Sequence, residues 1–140
     1  MCIRDSYSGP PSFTSFSYPS AVTAGSSLTI DWGTSTPAGM GYTGVAVQMP
    51  NYGGTLSDCE GPSSQVSGNA YAGTYSFTCT IPTDVPNGTY SLLFYAQDAL
   101  GAQVDDYTTE HLTVSGGTYS GPPSFTSFSY PCLLYTSRCV

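Results

Sequence analysis

The stretch Tyr75-Ser76-Phe77-Thr78-Cys79-Thr80-Ile81 decides the fold. Every second residue is large and apolar, and the residues between are Ser or Thr. A strand turns successive side chains to opposite faces, whereas a helix needs apolar residues three and four apart. This heptapeptide therefore reads as a strand with one face on a core and the other in water.

The same period of two recurs along the chain. Leu28, Ile30 and Trp32 alternate with Thr29 and Asp31, and Val45, Val47 and Met49 with Ala46 and Gln48. Tyr90, Leu92 and Phe94 alternate with Ser91, Leu93 and Tyr95, and Leu112 and Val114 with His111 and Thr113. Turn dipeptides such as Ala24-Gly25, Ala38-Gly39, Gly53-Gly54 and Asn87-Gly88 punctuate them. A strand at Phe13 to Tyr18 and a weaker one near Gln65-Val66 bring the total to about seven. No window carries a helical stripe. The expectation is an all-β, immunoglobulin-like antiparallel β-sandwich.

Beyond the strands lies a repeat. The thirteen residues Tyr-Ser-Gly-Pro-Pro-Ser-Phe-Thr-Ser-Phe-Ser-Tyr-Pro at 7–19 return unchanged at 119–131, an offset of 112 residues. Self-similarity at the length of one domain marks a tandem array. The chain then divides into a module at 7–118 and the first strand of a next copy at 119–131. Neither outer flank continues the repeat. Residues 1–6 and 132–140 resemble translated sequencing-adapter read-through and are set aside, the alternative being genuine divergent termini. The chain reads as a fragment of a longer secreted protein.

Charge narrows the partners. The chain has formal net charge -7, and both of its basic residues, Arg4 and Arg138, lie in the flanks. Residues 7–118 thus hold no Lys or Arg. Nucleic acid is excluded, because phosphate contacts need cationic side chains to displace counterions. Anionic membrane surfaces are disfavoured for the same reason, and no stretch reaches the roughly 18 apolar residues of a span. Of the five cysteines, only Cys59 and Cys79 fall inside the module. An even count in a Ser-, Thr- and Gly-rich chain points to a disulfide and an oxidising, extracellular setting; the alternative is two buried thiols. One His and two Cys fall short of a zinc site.

Three segments in order carry a family resemblance: Ala24-Gly25-Ser26-Ser27-Leu28-Thr29-Ile30-Asp31-Trp32, Tyr75 to Pro82, and Val85-Pro86-Asn87-Gly88-Thr89-Tyr90-Ser91-Leu92. Together they resemble the immunoglobulin-like domain of fungal Ser/Thr-rich cell-wall glycoproteins, the yeast glucan-synthesis protein type. Phe77 stands where that family often has Trp, and the internal cysteine pair is a further departure. The resemblance implies a secreted, surface-associated module and supplies no catalytic residue. Gly88-Thr89-Tyr90 also resembles the tyrosine corner of immunoglobulin domains, whose hydroxyl ties a strand to an upstream loop.

Chemistry finds few candidates. His111 alternates out of the core, no Gly-x-Ser-x-Gly elbow occurs, and a serine without a base is inert. Asp98, Asp105, Asp106 and Glu110 gather around one predicted hairpin, with a solvated loop expected and calcium the alternative. Asn87-Gly88-Thr89 is an N-glycosylation sequon on a predicted exposed turn, and 115–127 has the composition of an O-glycosylated spacer. Tyr75 and Tyr90 point inward; Tyr42, Tyr52, Tyr71 and Tyr95 are candidates for an aromatic surface that binds sugar or protein.

The repeated strand itself is the assembly candidate. Pro11 and Pro19 bracket it, as suits an edge strand. Phe13 should face one side and Phe16 and Tyr18 the other, unless a bulge intervenes; Phe125, Phe128 and Tyr130 are their second copies. The expected function is a structural repeat module of a secreted fibrous or cell-surface glycoprotein, with copies of itself and covalent glycans as partners. The alternative is a carbohydrate-binding or adhesin module. No catalytic residue, cofactor or metal is expected.

Overall fold

A computed structural model describes residues 9–50, 54–106, 110–119, 121 and 127. Ten strands follow in order: β1 (Ser12–Ser17), β2 (Ala21–Thr23), β3 (Ser27–Ser35), β4 (Met40–Gln48), β5 (Thr55–Pro62), β6 (Ser64–Gly68), β7 (Ala72–Thr80), β8 (Gly88–Asp98), β9 (Gln103–Asp106) and β10 (His111–Ser115). One sheet has the order β1-β3-β7-β6. The other runs β2-β10-β8-β4-β5, with β9 also paired to β8. The fold is the expected immunoglobulin-like β-sandwich.

Each alternating segment turns its apolar set between the sheets. Leu28, Ile30 and Trp32 of β3 face Leu92, Phe94 and Val45 from the second sheet, and all are buried. Three extra strands separate the observed ten from the expected seven. β2, β5 and β9 are short or polar, and their partners, not their own pattern, make them strands. The first sheet-forming segment splits at Pro19, which has no N–H to donate. β1 pairs antiparallel with β3, while β2 crosses to the other sheet and pairs parallel with β10. β5 and β6 change sheets in the same way across Ser63.

The β1 register corrects one expectation. A bulge between Phe13 and Ser15 shifts the pairing with β3. The extra residue turns Phe13 to the same side as Phe16, and both rings meet Phe94, at centroid distances of 6.0 and 4.4 Å. Aromatics that strict alternation sends to opposite faces share one core. β4 departs too: Ala46 and Gly44 lie on its outer face yet are buried, Gly44 beneath the Tyr95 ring.

Strand directions place the start of β1 and the end of β10 at opposite poles. β1 starts beside Ser35, near the β3–β4, β6–β7 and β8–β9 turns; this is the leading pole. β10 ends beside Gly88, and Thr118 and Tyr119 donate backbone bonds to Thr83 and Val85 at the trailing pole.

Candidate functional site

Cys59 of β5 and Cys79 of β7 form a disulfide, with Cα atoms 5.3 Å apart. Both are buried, and the bond joins β5, at the margin of one sheet, to β7, inside the other. A second tie crosses the core. Trp32 Nε1 of β3 donates to Thr43 Oγ1 at 3.0 Å, and that hydroxyl donates to the Tyr95 carbonyl at 2.7 Å. The indole N–H is thus satisfied inside the core, which a buried Trp requires. Nothing in the sequence singled out Thr43; its alternation with Val45 and Val47 was the available signal.

At the trailing pole the Tyr90 hydroxyl donates to the Pro86 carbonyl, which is the tyrosine corner the sequence suggested. Asn87 is exposed, but the turn of this loop falls at Thr83-Asp84, and Asn87 follows it in irregular chain just before β8. Its placement on a tight turn is therefore corrected. Asn87 Oδ1 accepts the Gly117 N–H at 2.7 Å. The amide nitrogen, the atom that carries an N-glycan, takes no part in that bond.

The acids do not form the single cluster their spacing suggests. Asp98 is buried, not solvated: its Oδ1 accepts the N–H groups of Leu100 and Ala102 at 2.9 and 2.8 Å, closing the β8–β9 turn. Asp105 lies at the surface of β9. Glu110 stands apart, accepting the Tyr18 hydroxyl at 3.2 Å. Among the described residues no three His, Cys, Asp or Glu side chains gather as metal ligands. His111 lies exposed on β10, with Leu112 and Val114 inward as predicted.

Of the candidate surface tyrosines, Tyr42 and Tyr71 are exposed and Tyr95 is half-buried. Tyr42 and Tyr95 meet edge to face at 6.0 Å on the outer face of the second sheet, while Tyr71 sits at the leading pole. Burial raises the Tyr95 hydroxyl above its ordinary pKa, helped by the negative charge of Glu60 and by Tyr42. Tyr18 is raised likewise, first by burial and then by Glu110. Tyr52 lies outside the described residues.

Phe13, Phe16 and Tyr18 pack half-buried against the core. β1 has β3 on one side and no strand on the other, so it is the edge strand its prolines predicted. Phe125, Phe128 and Tyr130 lie outside the described residues, as do both flanks.

Two grooves open near the trailing pole. One, of about 920 Å³, runs over Gln48, Met49, Thr89, Ser91 and His111. The other, of about 620 Å³, is walled by Met49, Pro50, Leu56, Pro82, Val85 and Tyr119. Neither was legible in the sequence, because their walls are assembled from segments far apart in the chain.

No family model and no curated protein sequence matches the chain. Among solved structures, it is similar to the PKD domain of an M14-like peptidase from a Thermoplasmatales archaeon. That match has 19% identity and TM-score 0.50, covering 76% of this chain and 96% of that one. It is also similar to a Niemann-Pick type C2 protein from the Japanese carpenter ant, with 10% identity and TM-score 0.53, covering 82% and 100%. At these identities the likeness is one of fold.

Proposed function

We propose that residues 7–118 are one structural module of a secreted fibrous or cell-surface glycoprotein, built of tandem copies joined end to end. One observation carries this reading: the chain enters at one pole and leaves at the other, and a perfect copy of the first strand begins where it leaves. Polar opposition of the ends lets copies extend as a line. β1 is part of each sandwich, filling the edge beside β3 with Phe13 and Phe16 on Phe94. Residues 119–131 would fill the same place in a following copy or in a neighbouring chain.

The buried disulfide supports an oxidising, extracellular setting. Exposed Asn87, with its amide nitrogen outside the Gly117 bond, supports N-glycosylation in a eukaryotic secretory host. The absence of Lys and Arg from 7–118 argues against nucleic acid as a partner. A resemblance to the fungal cell-wall domain agrees with this setting. The role is non-catalytic.

A second reading, carbohydrate binding, rests on exposed Tyr42 packed on half-buried Tyr95, because aromatic faces stack on sugars. One experiment separates the two. The secreted chain is applied to a glycan array and, in parallel, concentrated and imaged by electron microscopy. The structural reading expects elongated assemblies, shortened by Phe125→Ser with Phe128→Ser, and an array without signal. Glycan capture by a chain that never assembles would overturn it in favour of the adhesin.

A further inference from the structure

We propose that the trailing groove walled by Met49, Pro50, Leu56, Pro82, Val85 and Tyr119 is the socket for the leading pole of the following copy. The contact rests on the tandem reading above and adds to it a fixed junction between copies, in place of a loose string. The occupant is a second copy of this module, seated through Leu100 and Tyr71.

Three observations converge. The first is the distribution of exposed apolar side chains. Leu100 is 71% exposed and Tyr71 60%, and both sit on turns of the leading pole. Ala99 and Thr36 fix those turns there, by backbone bonds to Gly39 and Tyr71. A single exposed leucine is ordinary, but Leu100 and Tyr71 lie on neighbouring turns of one pole and together form an apolar pair there. The second is the groove at the opposite pole, where Met49, Pro50, Leu56, Pro82 and Val85 give an apolar floor, Asp58, Asp84 and Asn87 also line it, and Tyr119 stands exposed on its rim. Like surfaces at opposite poles make a head-to-tail contact, which extends as a line and does not close.

The third is the length of chain between the two poles. Thr118 is bonded twice to the Thr83 carbonyl, so the preceding copy holds its chain to that point. By the repeat, the next strand starts at Ser124, the counterpart of Ser12. The four residues at 120–123 span at most about 14 Å fully extended. In the first copy Pro11, the counterpart of Pro123, is already buried in its own sandwich. The following leading pole is thereby confined beside the trailing groove. A tether this short sets an effective concentration on the order of millimolar or above, so a weak apolar contact is occupied most of the time. Lys and Arg salt bridges cannot contribute, because 7–118 holds neither residue. Two acidic modules repel, so the contact strengthens as salt is added.

The test uses a two-copy chain, residues 7–131 continued by a second run of 20–118, beside the 140-residue chain. Rotational correlation times from backbone amide relaxation report each half. The expected result is one common time for both halves, well above that of the 140-residue chain. Leu100→Ser in the second copy, or Tyr119→Ser in the first, should split it into two shorter times. The double substitution should do no more than either alone, since both remove one contact. The same substitutions in the 140-residue chain should leave its thermal midpoint unchanged, which separates docking from folding. Two folded halves that tumble independently would overturn the socket and leave the tandem reading standing. A second half that does not fold would overturn both. If Leu56 and Val85 methyl signals in the 140-residue chain shift when it is cut after Tyr119, its own downstream segment fills the groove, and the socket assignment is wrong.

Discussion

Asp98 illustrates how far a single residue can depart from its sequence neighbourhood. Counted with Asp105, Asp106 and Glu110 it looks like one acid of a solvated cluster, yet it is buried and holds two backbone N–H groups of the β8–β9 turn on one oxygen. A short acid that accepts from residues two and four places on is a turn former, and position alone cannot distinguish that use from metal binding. Asp98→Ala should therefore cost about 1–3 kcal/mol by stranding those donors. Asp98→Asn keeps Oδ1 as acceptor and should cost clearly less. Urea unfolding measures both, and equal losses would show that the turn does not depend on the accepted bonds. Tyr90 was more legible, because Gly88-Thr89-Tyr90 entering a strand is a local pattern with a local partner. Tyr90→Phe keeps the ring in the core and removes only the bond to Pro86, so urea unfolding should report a loss of about 0.5–1.5 kcal/mol.

Elements were legible where burial is one-sided. β3, β7, β8 and β10 alternate cleanly because one face meets the core and the other meets water. β5 was not, because Leu56 and Cys59 are its only buried side chains and they are three apart. A bulge between Ala46 and Gln48 in its pairing with β4 disturbs the period further. β9 carries only Val104 as an apolar residue and exists because β8 is long enough to pair with it as well as with β10. The bulge in β1 hid the shared facing of Phe13 and Phe16 for the same reason: a period of two fails wherever one extra residue enters. β5 is also the element with most to lose from chemistry. It lies at the margin of its sheet and is bound to β7 by the disulfide. Cys79→Ala with Cys59→Ala should lower stability by about 3 kcal/mol for a loop of this length. Urea melts check it; an unchanged midpoint would mean that β5 is held by its pairing with β4 alone.

At the scale of the whole molecule, the sandwich carries no Lys or Arg in 7–118, and its shifted groups are phenols. Burial raises the hydroxyls of Tyr18, Tyr75, Tyr90 and Tyr95, with Glu110 adding to Tyr18 and Glu60 and Tyr42 to Tyr95. A folded pKa above the unfolded one means that the native state holds its proton longer. The contribution is complete below about pH 10, the unfolded value, and is lost as pH rises from there through the folded values. Urea melts at stepped pH should show a plateau and then a fall above about pH 10. A decline complete well below about pH 10 would show that these phenols do not set it. One consequence of the strand switch at Pro19 concerns mechanical load. β2 runs parallel to β10, tied by bonds from Thr113 to Ser20 and from Ala24 to Ser115. Tension on a line of copies pulls β2 toward the leading pole and β10 toward the trailing one. The bonds between them are then loaded together in shear, not one at a time as in a peeled hairpin. Stretched by its two ends, the module should yield at a higher force than when pulled across the β8–β9 turn, a difference that single-molecule extension reads directly.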